Sequence, residues 1–240
     1  MYYKSIVSAA LLAASSFSAA ANLEVTLTNT TKGIYFTPVL LGAHSDTVTL
    51  FALGETASSA IESIAEGGDI QEAVTALSNA AANIATGQDD ALPGASDGPL
   101  APGASFTTAL VTDDENEYLS LATMLLPTND GFVGLDRWKI PSEPGTYTVY
   151  LNAYDAGTEM NDELAANIPN APFVSSFGTP GETVITSGGT GVTETGDENG
   201  VVHIHRGNLG DLDADAGDSD IDASVHRWLN PVATMTVTVQ

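Results

Sequence analysis

The strongest constraint in this sequence is a two-residue alternation near both of its ends. Leu23, Val25 and Leu27 alternate with Thr26, Thr28 and Thr30, and Met235, Val237 and Val239 alternate with Thr234, Thr236 and Thr238. Successive side chains of a strand point to opposite faces, so each segment predicts a half-buried strand, apolar inside and threonine outside. A chain that opens and closes this way begins and ends inside one sheet system. Further strand-like runs are Ile34–Leu41, Thr47–Leu53, Ser105–Thr112, Tyr118–Leu126, Phe132–Trp138, Thr146–Tyr154 and Val201–Arg206. Many short strands separated by turn residues predict an all-β fold, an antiparallel β-sandwich.

One helical insert interrupts the strands. Asp69 followed by Glu72 makes a capping-box-like start, and Ile70, Ala73, Val74, Leu77, Ala81 and Ile84 keep helical spacing. A shorter helix over Thr56 to Glu66 precedes it and stops at Gly67-Gly68. Gly87 to Gly103, with Pro93, Pro99 and Pro102, reads as a surface loop, and Gly178 to Gly200 as a second, Gly/Thr/Glu-rich one. Neither has the composition of an interdomain linker and no internal repeat is present, so residues 22–240 are expected to form one domain.

The first 21 residues read differently. Lys4 precedes the short apolar stretch Ile6 to Ala14, and Ser15 to Ala21 supplies small residues ending in Ala19-Ala20-Ala21, an A-x-A cleavage pattern. The apolar run is too short to span a bilayer, and no later segment reaches transmembrane length. Residues 1–21 are therefore expected to be a signal peptide, and the product secreted or periplasmic.

Charge narrows the partners. The 31 Asp and Glu face only 6 Lys and Arg, and cleavage after Ala21 removes Lys4 and no acid, leaving a net charge of −26. Nucleic acid and an unassisted anionic membrane are repelled by such a chain, although calcium can bridge anions. Part of this acidity reads as a solvated surface suited to salty water, where ionic strength screens self-repulsion. The absence of cysteine excludes disulfides, thiolate metal sites and cysteine nucleophiles.

Individual carboxylates at loop ends call for a separate account. The stretches Pro127–Asp136 and Tyr154–Glu159 lie on strands flanking the turn Pro141-Ser142-Glu143-Pro144, which predicts a hairpin. With the turn centred there, Asp130 and Asp155 face each other at its open end, their Cα atoms roughly 4.5–5.5 Å apart. Two carboxylates that close repel unless one is protonated or a cation lies between them. Calcium takes six to eight hard oxygens from carboxylates and carbonyls on flexible loops. Asp130 and Asp155 supply two ligands, Glu159 follows past the turn-permitting Gly157, and Asn129 and backbone carbonyls are further donors. Glu66, in the last turn of a helix, opposes the macrodipole there and gains from a nearby cation, although a solvated Glu is the ordinary reading. Asp136, about 20 Å down the strand, falls outside this group. The alternative for Asp130 and Asp155 is that each caps a turn through its own backbone.

These same segments resemble the spondin N-terminal domain, the module at the front of F-spondin and mindin that also occurs alone in exported bacterial proteins. The Asp130-Gly-Phe-Val-Gly-Leu-Asp136 and Tyr154-Asp-Ala-Gly-Thr-Glu159 runs carry the likeness. Ala65-Glu66-Gly67 and Asn230-Pro231-Val232-Ala233 extend it over about Leu23 to Gln240. The resemblance implies an eight-stranded antiparallel sandwich similar to calcium-dependent lipid-binding modules, with a bound calcium. It further implies adhesion or recognition of a matrix or surface, by binding rather than catalysis. The expected partner is an extracellular or envelope ligand (protein, glycan or anionic lipid). The chain departs from animal members in having no cysteines and no thrombospondin-type repeats after the domain.

Other constellations carry less. His203 and His205, two apart on a strand, form the kind of pair transition metals use, with His44 or His226 as a third ligand; the alternative function is a transition-metal protein or metalloenzyme. A polar strand face with hydrogen-bonded histidines is the simpler reading. The acidic run Asp211, Asp213, Asp215, Asp218, Asp220 and Asp222 departs from an EF-hand loop: Gly217 falls at the seventh position, Asp222 replaces the final Glu, and no helices flank it. It reads as a solvated loop. Gly188-Gly189-Thr190-Gly191 lacks the Lys of a phosphate loop, and there is no Gly-x-Ser-x-Gly elbow. Trp138 and Trp228 are of a type that stacks on sugars, but partial burial is their ordinary fate.

Overall fold

A computed structural model describes residues 21–86, 99–168, 200–213 and 217–240. The two alternating ends pair with each other. Strands β1 (Asn22–Asn29) and β10 (Ala233–Val239) run antiparallel, with Leu23 opposite Val239, Val25 opposite Val237 and Leu27 opposite Met235. β5 (Ser105–Val111) flanks β1, and β8 (Gly145–Asp155) flanks β10. The alternation puts Leu23, Val25, Leu27, Met235 and Val237 into the core, all fully buried. Thr107, Thr26, Thr236 and Thr148 form one row on the opposite face.

The second layer follows the order β4-β3-β6-β7-β8, with β3 at Leu40–His44, β4 at Asn83–Thr86, β6 at Tyr118–Leu126 and β7 at Gly131–Lys139. Two short pieces join it: β2 (Tyr35–Phe36) on β6 and β9 (His203–Ile204) on β8. Leu119 and Leu121 of β6 and Val133 of β7 complete the core between the layers. The other face of this layer carries helices α1 (Ser59–Gly67) and α2 (Gln71–Asn79), whose Ile61, Ile64, Ala73 and Leu77 pack on Leu40, Ala122 and Phe132. β6 is thus buried on both faces, which is why its sequence is nearly continuously apolar rather than alternating. The fold is the antiparallel sandwich expected, with two short helices. Among the described residues no helix is long and apolar enough to cross a membrane.

β8 belongs to both layers, and this changes the predicted hairpin. Its residues 145–151 pair with β10, and only Asn152–Asp155 pair with β7, opposite Gly131–Gly134. The rest of β7 stays on β6, past an irregularity between Leu119 and Leu121, near which Arg137 takes φ +49°. The two strands therefore part toward their connecting turn, and the register cannot be counted back from its midpoint. Gly131, not Asp130, is the partner of Asp155.

Other boundaries also move. Ile34–Leu41 divides between β2 and β3, Val201–Arg206 contributes only the two residues of β9, and Thr47–Leu53 forms no strand. In that last segment the Leu50 amide donates to Asp136 at 2.7 Å, and the Phe51 ring packs edge-on against Phe132. Helix α1 ends as expected on left-handed Gly68 (φ +68°). Helix α2 stops at Asn79, Ala81 reverses the chain at φ +58°, and Ile84 lies in β4 rather than in the helix. The expected 1–21 leader (save Ala21), residues 87–98 and most of the Gly178–Gly200 loop lie outside the described residues.

Candidate functional site

Because β7 begins at Gly131 and β8 ends at Asp155, the segments 127–130 and 156–159 leave the sheet side by side. The Ala156 amide donates to the Asp130 carbonyl at 3.1 Å, extending the pairing by one step. Gly157 then turns the chain at φ +71°, and a Cβ there would lie 2.5 Å from the backbone of Val201, so only glycine fits. The turn brings Thr158 and Glu159 back over Asp130. Asp130 Oδ2 accepts from the Thr158 amide at 2.9 Å, the Thr158 hydroxyl at 3.3 Å and the Glu159 amide at 3.1 Å.

Asp130, Asp155 and Glu159 are all buried, at 0 %, 1 % and 1 % exposure. Asp155 accepts from the Gly157 amide at 2.9 Å and from the Asn161 side chain at 2.6 Å. Burial first, and then the charge of Asp155, push the Asp130 carboxyl up from 3.8 to about 7 against the pull of its three hydrogen bonds. Its other oxygen, Oδ1, is buried with no hydrogen-bond partner among the described residues. A buried acceptor without a donor, next to a second carboxylate, is a costly arrangement for a protein alone.

Glu66 reaches the same place from α1. It is partly buried, its carboxyl raised by burial, lowered by a hydrogen bond from Thr158, and raised again by Glu62. Thr158 therefore touches both Glu66 and Asp130, joining the helix end to the strand loops. Asn129 is engaged elsewhere, for its amide group donates to Asp162 at 3.0 Å and accepts from the Glu163 amide at 3.1 Å. Asp136 stays apart, bonded to Leu50 and, at 3.0 Å, to Arg137.

The carboxylates at this end of the sandwich offer oxygen donors, which suit a hard divalent ion such as calcium. Asp130 Oδ1 provides an acceptor with nothing to accept, and the like-charge pair favours a cation, so the residues fit one. Among the described residues no three His, Cys, Asp or Glu side chains are already gathered as a metal cage. The pair would draw its remaining donors from carbonyl oxygens and water, as calcium permits.

The histidines separate. His203 lies opposite Asp155 in the β8–β9 pairing, its Nε2 3.7 Å from Asp155 Oδ2. His205 turns to the core, packs against Trp228 with ring centroids 4.9 Å apart and planes tilted by 46°, and is held down to about pKa 3 by burial, then by Arg206 and His203. His44 bonds Ser120 at 2.7 Å in β6. Trp228 is buried, as the ordinary reading of a tryptophan has it. Asp215 of the acidic run lies outside the described residues; in the rest, Asp211 and Asp222 form a bridge, and Asp211 accepts from the amides of Asp213 at 2.8 Å and Ser219 at 3.0 Å. Beside it, buried Glu163 accepts from the amides of Leu209 (2.6 Å) and Gly210 (2.7 Å) and the hydroxyl of Ser219 (2.8 Å). Thr158 lies within the Tyr154–Glu159 run without a role of its own there, and Asn161 and Glu163 carried no motif; their parts arise only from where the loops fold.

The geometry defines a class: an antiparallel β-sandwich, helices on one outer face, with buried carboxylates where two strands leave the shared edge. The Spondin_N family model matches residues 28–175, more than half of the chain, and the chain belongs to that family. Spondin N-terminal domains are in general extracellular, β-rich and non-enzymatic modules. No curated protein matches the chain.

Proposed function

We propose that this chain is an exported calcium-binding recognition module, with residues 1–21 as a cleaved signal peptide and residues 22–240 as its spondin domain. Calcium sits at Asp130 and Asp155, with Glu159 and Glu66 beside the pair, and its role is mainly structural. It relieves the repulsion between the buried carboxylates and fixes the 156–163 loop against helix α1. The module acts by binding rather than catalysis, recognising an extracellular or envelope partner (protein, glycan or calcium-bridged anionic lipid) through the loops around the ion; its charge of −26 disfavours nucleic acid. The observation that carries this reading is the buried, unpartnered Asp130 Oδ1 beside Asp155.

A calcium titration followed by melting temperature tests it. A ligand bound only by the folded state stabilises by about 2.7 kcal/mol at a hundredfold excess over Kd. The melting temperature of the wild type should rise with calcium, and the rise should vanish in Asp155→Ala. An equal rise in both proteins sinks the assignment.

A further inference from the structure

We propose that His203 is a nitrogen ligand at the Asp155 side of this centre, so that it takes zinc as well as calcium. The inference rests on the carboxylate pair being a cation site. Residue 203 lies outside the matched stretch 28–175, so the assignment concerns this chain's own residues.

Three observations converge. His203 is the direct cross-strand partner of Asp155, and directly opposed residues project to the same face of the sheet. His203 Nδ1 lies 2.9 Å from the Val201 carbonyl. A carbonyl only accepts, so Nδ1 carries a proton, and in the neutral tautomer the lone pair is then on Nε2. A proton-bearing nitrogen anchored on a carbonyl is the arrangement that orients metal-binding histidines.

The distance is the third. Nε2 and Asp155 Oδ2 are 3.7 Å apart, beyond hydrogen-bond range. Zinc binds imidazole nitrogen and carboxylate oxygen at about 2.1 Å each, so two of its ligands lie roughly 3.0–4.2 Å apart for angles between a right angle and a straight line. The observed gap falls inside that span. The His203 side chain is 35 % exposed, which leaves an ion a route to the buried carboxylate. His205 is unsuited to such a role, because its Nδ1 accepts from the Gly207 amide at 2.9 Å and the proton therefore sits on Nε2. Carbonyl oxygens and water complete the shell around the two side chains. The competing account is a protonated His203 forming an ion pair with Asp155, which excludes a divalent ion from the gap.

Calorimetric titration of the full chain with Zn2+ and, separately, Ca2+ decides between them, using wild type, His203→Gln and Asp155→Asn. The expected result is a loss of at least tenfold in zinc affinity in His203→Gln with calcium affinity kept within about threefold, and a loss of both ions in Asp155→Asn. Zinc binding unchanged in His203→Gln overturns the proposal. So does zinc binding unchanged in Asp155→Asn, which places the metal on an exposed histidine alone, and so does an equal loss of both ions in His203→Gln. If the wild type binds zinc through His203 and Asp155 but no calcium, the calcium reading fails and the nitrogen ligand stands; binding of neither ion overturns both.

Discussion

Replacing Asp130 by Asn should stabilise the metal-free protein at neutral pH. The Asn side chain keeps one oxygen for the amides of Thr158 and Glu159 and places an NH2 group where Oδ1 now lacks a partner. It also removes the like charge beside Asp155. The Asp130 carboxyl is raised from 3.8 to about 7, roughly three pH units, which at about 1.4 kcal/mol per unit is about 4 kcal/mol at most. The sign follows from proton counting. Between these values the folded state holds a proton that the unfolded state has released, so stability falls as pH rises from about 4 to 7.

The wild-type curve alone does not reveal this. His205 titrates over nearly the same window in the opposite sense. Its value drops from 6.5 to about 3, so its contribution is present above 6.5 and is lost as pH falls. The two slopes oppose each other, and the difference between wild type and Asp130→Asn cancels His205. Urea unfolding in chelator at intervals from pH 3.5 to 8 should give a difference near zero at the acid end. It should grow in favour of the Asn protein and level off above pH 7, corresponding there to roughly 8–16 °C in melting temperature. Excess calcium should reverse the order, because only the wild type can gain from the ion. A difference that does not vary with pH, or an Asn protein that is the weaker one at pH 8 in chelator, refutes the reasoning.

Two other substitutions probe the loops that frame the pair. Gly157→Ala forces a Cβ to within 2.5 Å of the Val201 backbone at φ +71° and should cost about 2 kcal/mol or more, read as a lower urea midpoint together with weaker calcium stabilisation. Glu163→Gln places an NH2 group against the donors of Leu209, Gly210 or Ser219 and should cost about 1–3 kcal/mol, with little change in the calcium response, since Glu163 ties loops rather than facing the pair. An unchanged midpoint in either protein counts against the contacts described.

Local patterns proved readable where one physical signal decides the outcome. Alternation located β1 and β10, strand-like runs between turn residues located β5 and β6, and Gly67-Gly68 marked the end of α1. Local propensity misled where tertiary context overrules it. Thr47–Leu53 looks like a strand, yet Phe51 is used to cover Phe132 and Tyr154, and Leu50 is held by Asp136. Ile84 continues a helical spacing, but the chain reverses at Ala81 (φ +58°) and Asn83–Thr86 pair with β3. The closeness of Asp130 and Asp155 was legible even though the register counted from the turn was off by one, because both residues sit where strand gives way to loop. The link from Glu66 through Thr158 and the approach of His203 to Asp155 were not, since each joins elements tens of residues apart by tertiary folding alone.

The two kinds of buried carboxylate in this sandwich separate structure from function. Among the described residues Glu163 forms no ion pair: three donors converge on its two oxygens, so its burial is offset by charge-assisted hydrogen bonds. Asp130 receives three bonds as well, but all on one oxygen, while the other is shut away from solvent near a second negative charge. A fold selected for stability alone would replace such a side chain by an amide or an apolar residue of the same size. Local frustration of this kind is what the calcium reading proposed above requires of a site that awaits something the chain does not itself supply. On that reading the ligand is positive, takes hard oxygen donors and reaches the end of β8, three requirements that a divalent ion meets.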